Sequence, residues 1–342
     1  LHIQSLLVPY QSQKEYLLSI KRAKQGSIQI YGDDLGQAIA SYIEASIDIT
    51  KDVRPDVVHC HDWMTYEAGR RAAAYHRTPL VAHIHATELD RTHFHPNEYI
   101  FTQERRGFEA SDKVIAVSNY TKNMVVEHYG ISPEKISVIH NGNRTTLKSV
   151  SHITSRARDR GYPLVLFLGR LVTQKGTMQF LDMAAAIHEL RPDVRFVLAG
   201  EGDMLGQLVE RTYTLGLRDC VSFTGKLENS EVEHLYAQAD CFVMPSLSEP
   251  FGLVALEAIA HGTPVVLSRQ SGAREVIDHC FAVDFWDTEK LADCVLTILR
   301  ETPLAEQLVS QAPRTLTRLT WKKQAAHIES IYRDLITCQH NA

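Results

Sequence analysis

The hydrophobic pattern of the chain alternates between short β-branched runs and longer stretches with helical spacing. This alternation is typical of parallel sheets covered by helices, because strands buried on both faces are apolar throughout. In the first half, the pattern predicts strands at residues 56–61, 80–85, 113–117 and 136–139. Helices are predicted in the intervals, for example at residues 65–76 and 119–129.

The second half repeats the alternation after a polar, basic stretch at residues 145–161, which we interpret as a linker. Its predicted strands lie at residues 164–168, 194–199, 221–224, 241–245, 265–267 and 281–285. The pattern predicts an N-terminal domain at residues 1–150 and a C-terminal domain at residues 158–320, both Rossmann-like with doubly wound parallel sheets. Residues 321–342 are expected to form a helix that packs across both domains, since their apolar positions have helical spacing.

The beginning of the chain departs from this pattern. A doubly wound domain normally opens with a strand and a glycine-rich turn into a helix. Residues 1–30 contain no such turn, and only a weak strand candidate at residues 27–31 precedes Asp52. We therefore expect the first sheet to lack its first strands, to be about two strands shorter than the second, and to have an unpaired edge.

Composition excludes several classes of protein. The 342 residues exceed what one hydrophobic core usually organises, and the net charge of −5 comes from mixed signs, which argues against nucleic-acid binding. No apolar run could cross a bilayer and no signal peptide begins the chain, so we expect a cytoplasmic protein whose contact with membranes is at most peripheral. The six cysteines lack short paired spacings, which predicts reduced, buried thiols. Oligomeric state is not indicated.

The most informative segment covers residues 241–264, which predict a strand, a tight loop, a helix and a glycine stop. Glu249 falls in the loop, and Glu257 falls within the helix among apolar neighbours, where a carboxylate is usually paired or bound to a ligand. The helix start at residues 251–253 offers free N–H groups that suit a phosphate. The alternative is that Glu249 merely caps the helix and Glu257 lies on a solvated face.

Two cations follow the predicted strand at residues 164–168. Arg170 and Lys175 lie in one loop at the carboxyl edge of the sheet, where both can reach a diphosphate. Taken alone, an arginine and a lysine in a loop are ordinary surface charges. Their coincidence with the glutamate segment is what favours a phosphate site.

Four motifs in this order carry a family resemblance: Gly-Arg-Leu…Gln-Lys-Gly from residue 169, Leu-Ala-Gly-Glu-Gly from 198, Phe-Thr-Gly-Lys-Leu from 223, and Ser-Glu-Pro-Phe-Gly-Leu-Val-Ala-Leu-Glu from 248. Together they resemble the group 1, glycogen-synthase-like (family four type) retaining glycosyltransferases of the GT-B fold. Residues 61–63 and 83–89 are similar to acceptor-domain segments of that superfamily, so the resemblance covers the chain from about Asp52 onward. The expected fold is therefore two α/β domains facing each other across a cleft.

The resemblance implies a role for each matching residue. Arg170 and Lys175 would hold the donor diphosphate, Glu257 the ribose hydroxyls, Glu249 the hydroxyls of the transferred sugar, and His85 the donor sugar near its reacting carbon. His85, Arg170, Lys175 and Glu249 are thus the candidate catalytic residues. The other donor-site candidates are Gly169, Gly200, Glu201, Gly202, Lys226, Leu227, Pro250, Phe251, Gly252 and Leu253. Candidates on the acceptor side are Asp62, Trp63 and Glu88.

The implied reaction moves a hexosyl group, glucose from UDP or ADP being the first candidate, to an α-glucan or to a lipid or polysaccharide intermediate, with retention. No Asp-X-Asp motif of the metal-binding type occurs, so no cofactor is expected. The sequence departs from the family pattern at residues 143–146 and at Cys280, where a glycine is usual. A nucleotide-sugar 2-epimerase, a sugar phosphorylase and an inactive nucleotide- or glycan-binding module stay open as alternatives.

Histidines offer a metal-binding alternative. Three His-X-His pairs occur, at residues 59 and 61, 83 and 85, and 93 and 95. In a strand, residues two apart share a face, so the first two pairs could each chelate a metal ion. No cysteine or carboxylate spacing completes such a site, and the sequence therefore predicts no metal centre and histidines that line the cleft.

Overall fold

The computed structural model describes residues 35–143 and 160–340. The first half forms a four-stranded parallel sheet in the order β1-β2-β3-β4. Its strands are β1 (Val58–His61), β2 (Leu80–Ile84), β3 (Lys113–Ala116) and β4 (Ile136–Val138). The predicted strand at residues 27–31 and the predicted linker up to residue 159 lie outside the described residues.

Helices connect these strands as the periodicity predicts. They are α1 (Leu35–Thr50), α2 (Trp63–His76), α3 (Glu88–Thr92), α4 (Glu98–Ala110) and α5 (Asn119–Tyr129). Local capping defines several starts: the Ser118 hydroxyl accepts from Thr121 N, and Thr87 and Asp90 form a reciprocal capping box. Gly130 ends α5 in the left-handed conformation that glycine adopts without strain.

The second half forms a six-stranded parallel sheet in the order β10-β9-β8-β5-β6-β7. Its strands are β5 (Leu164–Leu168), β6 (Arg195–Ala199), β7 (Val221–Gly225), β8 (Cys241–Met244), β9 (Val265–Ser268) and β10 (Phe281–Val283). The ten strands predicted within the described residues are all present, with bounds that differ by no more than two residues. The chain thus has the two-sheet GT-B fold, and the described first sheet has two strands fewer than the second.

The helices of the second half cover both faces of its sheet. They are α6 (Thr177–Leu190), α7 (Leu205–Thr214), α8 (Asn229–Gln238), α9 (Leu253–Ala260), α10 (Thr288–Arg300), α11 (Thr302–Ser310), α12 (Ala312–Arg318) and α13 (Trp321–His340). None of the described helices has the length and apolar character that a membrane span requires. All six cysteines are free, and Cys338 is exposed, contrary to the prediction of buried thiols throughout.

Strand alternation divides each sheet between two apolar clusters. On β5, Val165 and Phe167 pack into one cluster and Leu166 into the other, because successive side chains point to opposite faces. On the first sheet, the larger cluster packs beneath α1, α2, α4 and α5. The opposite face carries a small cluster of Val81, Ile115 and Ile139.

The last helix, α13, returns from the second half to the first sheet. Ile328, Ile331, Tyr332 and Leu335 pack against the small cluster of Val81, Ile115 and Ile139. Asn143 of the first half pairs with Thr320 in an isolated β-bridge, and α13 begins at the next residue, Trp321. One face of the first sheet is therefore covered by a helix that lies at the far end of the sequence.

Candidate active site

The order of the second sheet reverses between β5 and β8. These two strands are neighbours, while the chain runs outward from β5 to β7 on one side and from β8 to β10 on the other. Ligands of open α/β sheets bind outside the carboxyl ends of the strands at such a switch point. The loops that leave β5 and β8 carry Lys175 and Glu249, so both candidate residues lie at this point.

The loop after β5 is held between two neighbouring loops. On one side, Gly169 N donates to Ala199 O (3.0 Å) and Leu171 N donates to Glu201 O (2.8 Å). On the other, the Gln174 side-chain amide donates to Ser248 O (3.1 Å). Bonds on both sides fix the backbone that carries the two cations.

Glycines allow these loops to approach each other. Gly176 has φ +71°, and a Cβ there would lie 1.8 Å from the Pro245 carbonyl oxygen. A Cβ on Gly200 would lie 2.0 Å from Gly169 O, and one on Gly202 would lie 2.2 Å from Leu171 O. A larger residue at any of these positions would push the loops apart.

An ion pair joins the two loops. Lys175 Nζ lies 2.6 Å from Glu249 Oε2, and the side chains are 20% and 9% exposed. The Ser246 hydroxyl donates to the same carboxylate oxygen at 3.5 Å. Arg170 is exposed on the same loop as Lys175, so this edge of the sheet presents two cations beside one carboxylate.

The N-terminus of α9 adds the positive end of a helix dipole to this edge of the sheet. Gly252 occupies the N-cap position with φ 101°, and no side chain caps the helix. Pro250 and Phe251 are buried beneath it, whereas Leu253 is exposed. The N–H groups of a first turn without a side-chain cap are available to an anion.

Glu257 lies one turn into α9. Tyr236 donates a hydrogen bond of 3.1 Å to its carboxylate. Burial raises the pKa of Glu257, and the Tyr236 bond and nearby His261 oppose the shift. Glu257 is therefore half-buried and paired, and does not lie on the solvated face that the sequence analysis left open.

An open pocket of about 510 Å³ lies beside the loop after β7. Leu227 lines it together with Thr224, Ser230, Glu231, His234 and Leu235. Lys226 is exposed next to Leu227, and Glu201 is exposed on the loop after β6. The pocket thus lies at the edge of the sheet, next to the donor-site candidates Lys226 and Leu227.

In the first half, the loops after β1 and β2 are tied together. Asp62 has φ 58°, and its carboxylate accepts a 2.8 Å bond from His85 N. With ψ 165°, Asp62 lies outside the left-handed helical region, in a conformation that is strained for any residue but glycine, and such strain concentrates at functional sites. The contact holds the backbone of half-buried His85 at the carboxyl end of β2.

Two acceptor-side candidates are buried. Trp63 is 4% exposed and packs edge-on against Tyr99. Glu88 is 0% exposed, and its carboxylate accepts from Asn97 N (3.2 Å) and pairs with Arg91 (3.6 Å). Their role on the acceptor side stays a prediction.

Two contacts between the halves escaped the sequence analysis. The Ser248 hydroxyl, next to Glu249, donates to the buried carboxylate of Asp90 and also bonds Tyr120 Oη (2.9 Å). Burial raises the pKa of Asp90, while bonds from Ser248 and Thr87 oppose the rise. No sequence signal marks this pairing, since the partners are more than a hundred residues apart.

The second contact is a helix cap supplied from the other half. The Glu275 carboxylate accepts from the backbone N–H groups of Asn119 (2.8 Å) and Tyr120 (2.7 Å), at the start of α5. His140 Nε2 lies 3.0 Å from the same group. Burial disfavours the charge, yet these bonds hold the pKa of Glu275 below its ordinary value.

Four histidines form a stack on the face of the first sheet that α13 covers. The rings of His59, His61, His83 and His85 lie 4.4–5.4 Å apart between centroids. Burial lowers the pKa of His59 to about 4 and that of His83 to about 2. One nitrogen each of His59, His61 and His83 lie within 4.8 Å of one another. The sequence predicted separate pairs lining a cleft, and strand pairing merges two of those pairs into one cluster.

Comparison with known proteins identifies both halves. Residues 18–146 match the model of glycosyltransferase family 4, and residues 151–315 match the model of glycosyl transferases group 1. An uncharacterised glycosyltransferase of Methanocaldococcus jannaschii is 32% identical over 317 residues, which cover 86% of this chain and 79% of that protein. The glycogen synthase of Mycobacterium tuberculosis strain H37Rv is 31% identical over 289 residues, 82% of this chain and 69% of that protein.

A solved structure has the same fold. The Anabaena protein HepE, in complex with UDP and glucose, superposes with a TM-score of 0.71 at 24% identity. The superposition covers 90% of this chain and 84% of that protein. The two-sheet architecture is therefore shared along most of both chains.

Proposed function

This chain belongs to the group 1 glycosyltransferases, and from that premise we propose that it transfers a hexosyl group from a nucleoside diphosphate sugar to a hydroxyl acceptor, with retention of the anomeric configuration. Glucose is our first candidate for the sugar and UDP or ADP for the carrier. A glycogen synthase among the relatives and a HepE structure with UDP and glucose support this choice. The acceptor is proposed as a glycan chain.

The observation that carries the proposal is the convergence of Lys175, Glu249 and the start of α9 at the β5–β8 switch point. Departure of a nucleoside diphosphate leaves negative charge on the β-phosphate. Lys175, Arg170 and the N–H groups at the α9 start would bind that charge, the arginine as a fork and the lysine as a point charge. With these groups in place, we propose that transfer needs no metal ion.

Glu249 would position the transferred sugar. Its carboxylate is held by Lys175 at 2.6 Å and is 9% exposed, so it suits hydrogen bonds to sugar hydroxyls better than attack on carbon. We propose that the departing phosphate itself takes the proton of the acceptor hydroxyl on the same face of the sugar. The new C–O bond then forms on the side that the old one leaves, which retains the configuration.

Glu257 and the pocket lined by Leu227 would bind the nucleoside. The Glu257 carboxylate, oriented by Tyr236, would accept from the ribose hydroxyls, and the base would enter the pocket at the edge of the sheet. Across the cleft, His85 would contact the donor sugar near its reacting carbon. Its backbone position is set by Asp62.

A donor screen tests the proposal. The chain is incubated with UDP-glucose, ADP-glucose and their galactose and mannose analogues, with and without maltooligosaccharide, in buffer containing EDTA. The expected result is nucleoside diphosphate release in EDTA, with an α-linked product from an α-linked donor by NMR. An inverted product would overturn retention, and a requirement for added metal would overturn metal-free transfer. Epimerised nucleotide sugar without acceptor would overturn the transfer itself.

A further inference from the structure

The histidine stack contains ring nitrogens that the protein leaves without partners. Among the described residues, His59 Nε2 and both nitrogens of His83 have no hydrogen-bond partner, although each is buried. His83 is 5% exposed. Buried polar atoms are nearly always satisfied, so an unpaired group indicates an additional ligand or an unusual role.

The strand register creates the cluster. β1 and β2 pair with His61 opposite His83, and residues two apart on one strand point to the same face. His59, His61, His83 and His85 therefore form a staggered array on a single face of the sheet, with His59 opposite Val81. The array extends from Tyr332 of α13, which contacts His59, to His85 at the cleft.

We propose that His59, His61 and His83 bind one divalent transition-metal ion, with Zn²⁺ as the first candidate. Three imidazoles with a free fourth position are a recognised zinc donor set. Imidazole nitrogens favour zinc, copper, nickel and cobalt, whereas magnesium and calcium require oxygen ligands. The ring nitrogens, within 4.8 Å of one another, would meet the ion after small side-chain rotations.

Outer-shell contacts support this assignment. His59 Nδ1 bonds the Tyr332 hydroxyl, which leaves His59 Nε2 as the nitrogen that would bind the ion. His61 Nδ1 lies 3.0 Å from His85 Nε2. Metal-binding histidines usually bond a second group through their other nitrogen, which fixes the ring orientation. His61 is exposed and provides a route for the ion.

The site adjoins the proposed donor machinery at His85, which bonds the proposed ligand His61. Its ligands belong to β1 and β2 of the first sheet, whereas Lys175 and Glu249 lie on loops of the second. Metal binding and sugar transfer are measured separately, so each proposal can fail without the other.

Metal binding to the full chain, without an affinity tag and after dialysis against chelator, tests the site. Titration with ZnCl₂ against a chromogenic chelator is expected to show one site, with Mg²⁺ unable to compete. Titration with CoCl₂ is expected to produce the visible absorption bands of nitrogen-ligated, four- or five-coordinate cobalt. Absence of a stoichiometric zinc site, or equal competition by Mg²⁺, would overturn the proposal.

Variants locate the ion. His61→Ala, at an exposed ligand, is expected to weaken Zn²⁺ binding about 100-fold or more. Tyr332→Phe removes the hydroxyl that bonds His59 and is expected to weaken binding about 10-fold. His83→Gln tests the buried ligand, with circular dichroism to verify folding. The matched control is the double variant His93→Asn and His95→Asn, which removes a pair of the same spacing outside the cluster. Loss of binding in this control, with retention in His61→Ala, would place the ion elsewhere.

Discussion

The two sheets of the molecule are built on the same parallel plan, yet their interiors differ. The second sheet carries a large apolar cluster on each face, made by strands and helices of its own half, with Val117 of the first half added to one of them. The first sheet has one large cluster, while its other face combines three apolar residues with a histidine stack beneath α13. The half that we propose binds the donor is thus assembled locally, and the other half depends on a helix from the end of the chain.

The difference extends to buried charge. Glu88, Asp90 and Glu104 of the first half are each 0% exposed. Glu104 accepts from Arg91 (3.1 Å) and from Glu88 N (2.9 Å). Such networks require every partner to be in place, whereas apolar packing tolerates small adjustments. We infer that the stability of the first half is more sensitive to pH and to the loss of α13. The stability of the second half is more sensitive to cavities in its core.

The largest effect is expected in the core of the second half. Phe242 is 0% exposed, and Phe242→Ala is expected to lower the free energy of unfolding by about 3–5 kcal/mol. Ile331→Ala removes a partly buried side chain of α13 and is expected to cost about 1–2 kcal/mol. Urea unfolding followed through Trp286 and Trp63 measures both. A larger loss for Ile331→Ala would reverse the comparison.

The next effect concerns chemistry in the second half. Lys175→Ala is expected to remove about 3 kcal/mol of transition-state stabilisation, or roughly two orders of magnitude in kcat. Steady-state assays with the donor from the screen measure this loss. Lys290→Ala, at an exposed lysine of α10, is the matched control. Arg170→Ala, at an exposed position, separates a loss of charge from misfolding around buried Glu249. Parental rates in both site variants would refute the phosphate assignment.

The pH dependence of stability sharpens the contrast in buried charge. Burial raises the pKa of Glu104 to about 7, and bonds from Arg91, Tyr129 and Glu88 N oppose the shift. Between the ordinary glutamate value and 7, the folded state holds a proton that the unfolded state has lost. The contribution of Glu104 to the free energy of unfolding is therefore fully present below pH 4.5 and is lost as pH rises through 7. The loss is at most about 1.4 kcal/mol per pH unit.

Urea midpoints between pH 5 and 7.5 measure this slope. Glu104→Gln is expected to flatten it, because the side chain no longer titrates. Glu289→Gln, at an exposed residue of α10, is expected to leave the slope unchanged. An identical slope in the Glu104→Gln variant would show that other groups cause the dependence.

The smallest effect tests the contact that joins the halves. Glu275→Gln keeps the shape of the side chain but removes the charge from the start of α5, and we expect a loss of about 1 kcal/mol. Thermal unfolding measures it. Asp287, whose carboxylate accepts from Lys290 N (3.0 Å) at the start of α10 within its own half, offers a matched change in Asp287→Asn. A smaller effect of Glu275→Gln than of Asp287→Asn would show that the cap between the halves is energetically minor.

Local regularity explains what the sequence predicted well. Each strand is a short apolar run, and each helix has a periodic face, so their positions follow from neighbours along the chain. The same holds for the loops at Lys175 and Glu249, because strands that end at one edge of a parallel sheet bring their loops together. The burial of Trp63 and Glu88 could not be predicted in this way, since burial depends on which distant elements cover a residue.

By itself, the amino-acid sequence determined the two parallel sheets, the order of their strands along the chain and the residues of the loops after β5 and β8. Only the tertiary structure decided the switch point between β5 and β8, the histidine stack, the Glu275 cap and the position of α13. The physical reason is range: periodicity and capping act within a few residues, whereas strand order and packing between the halves join residues far apart in sequence.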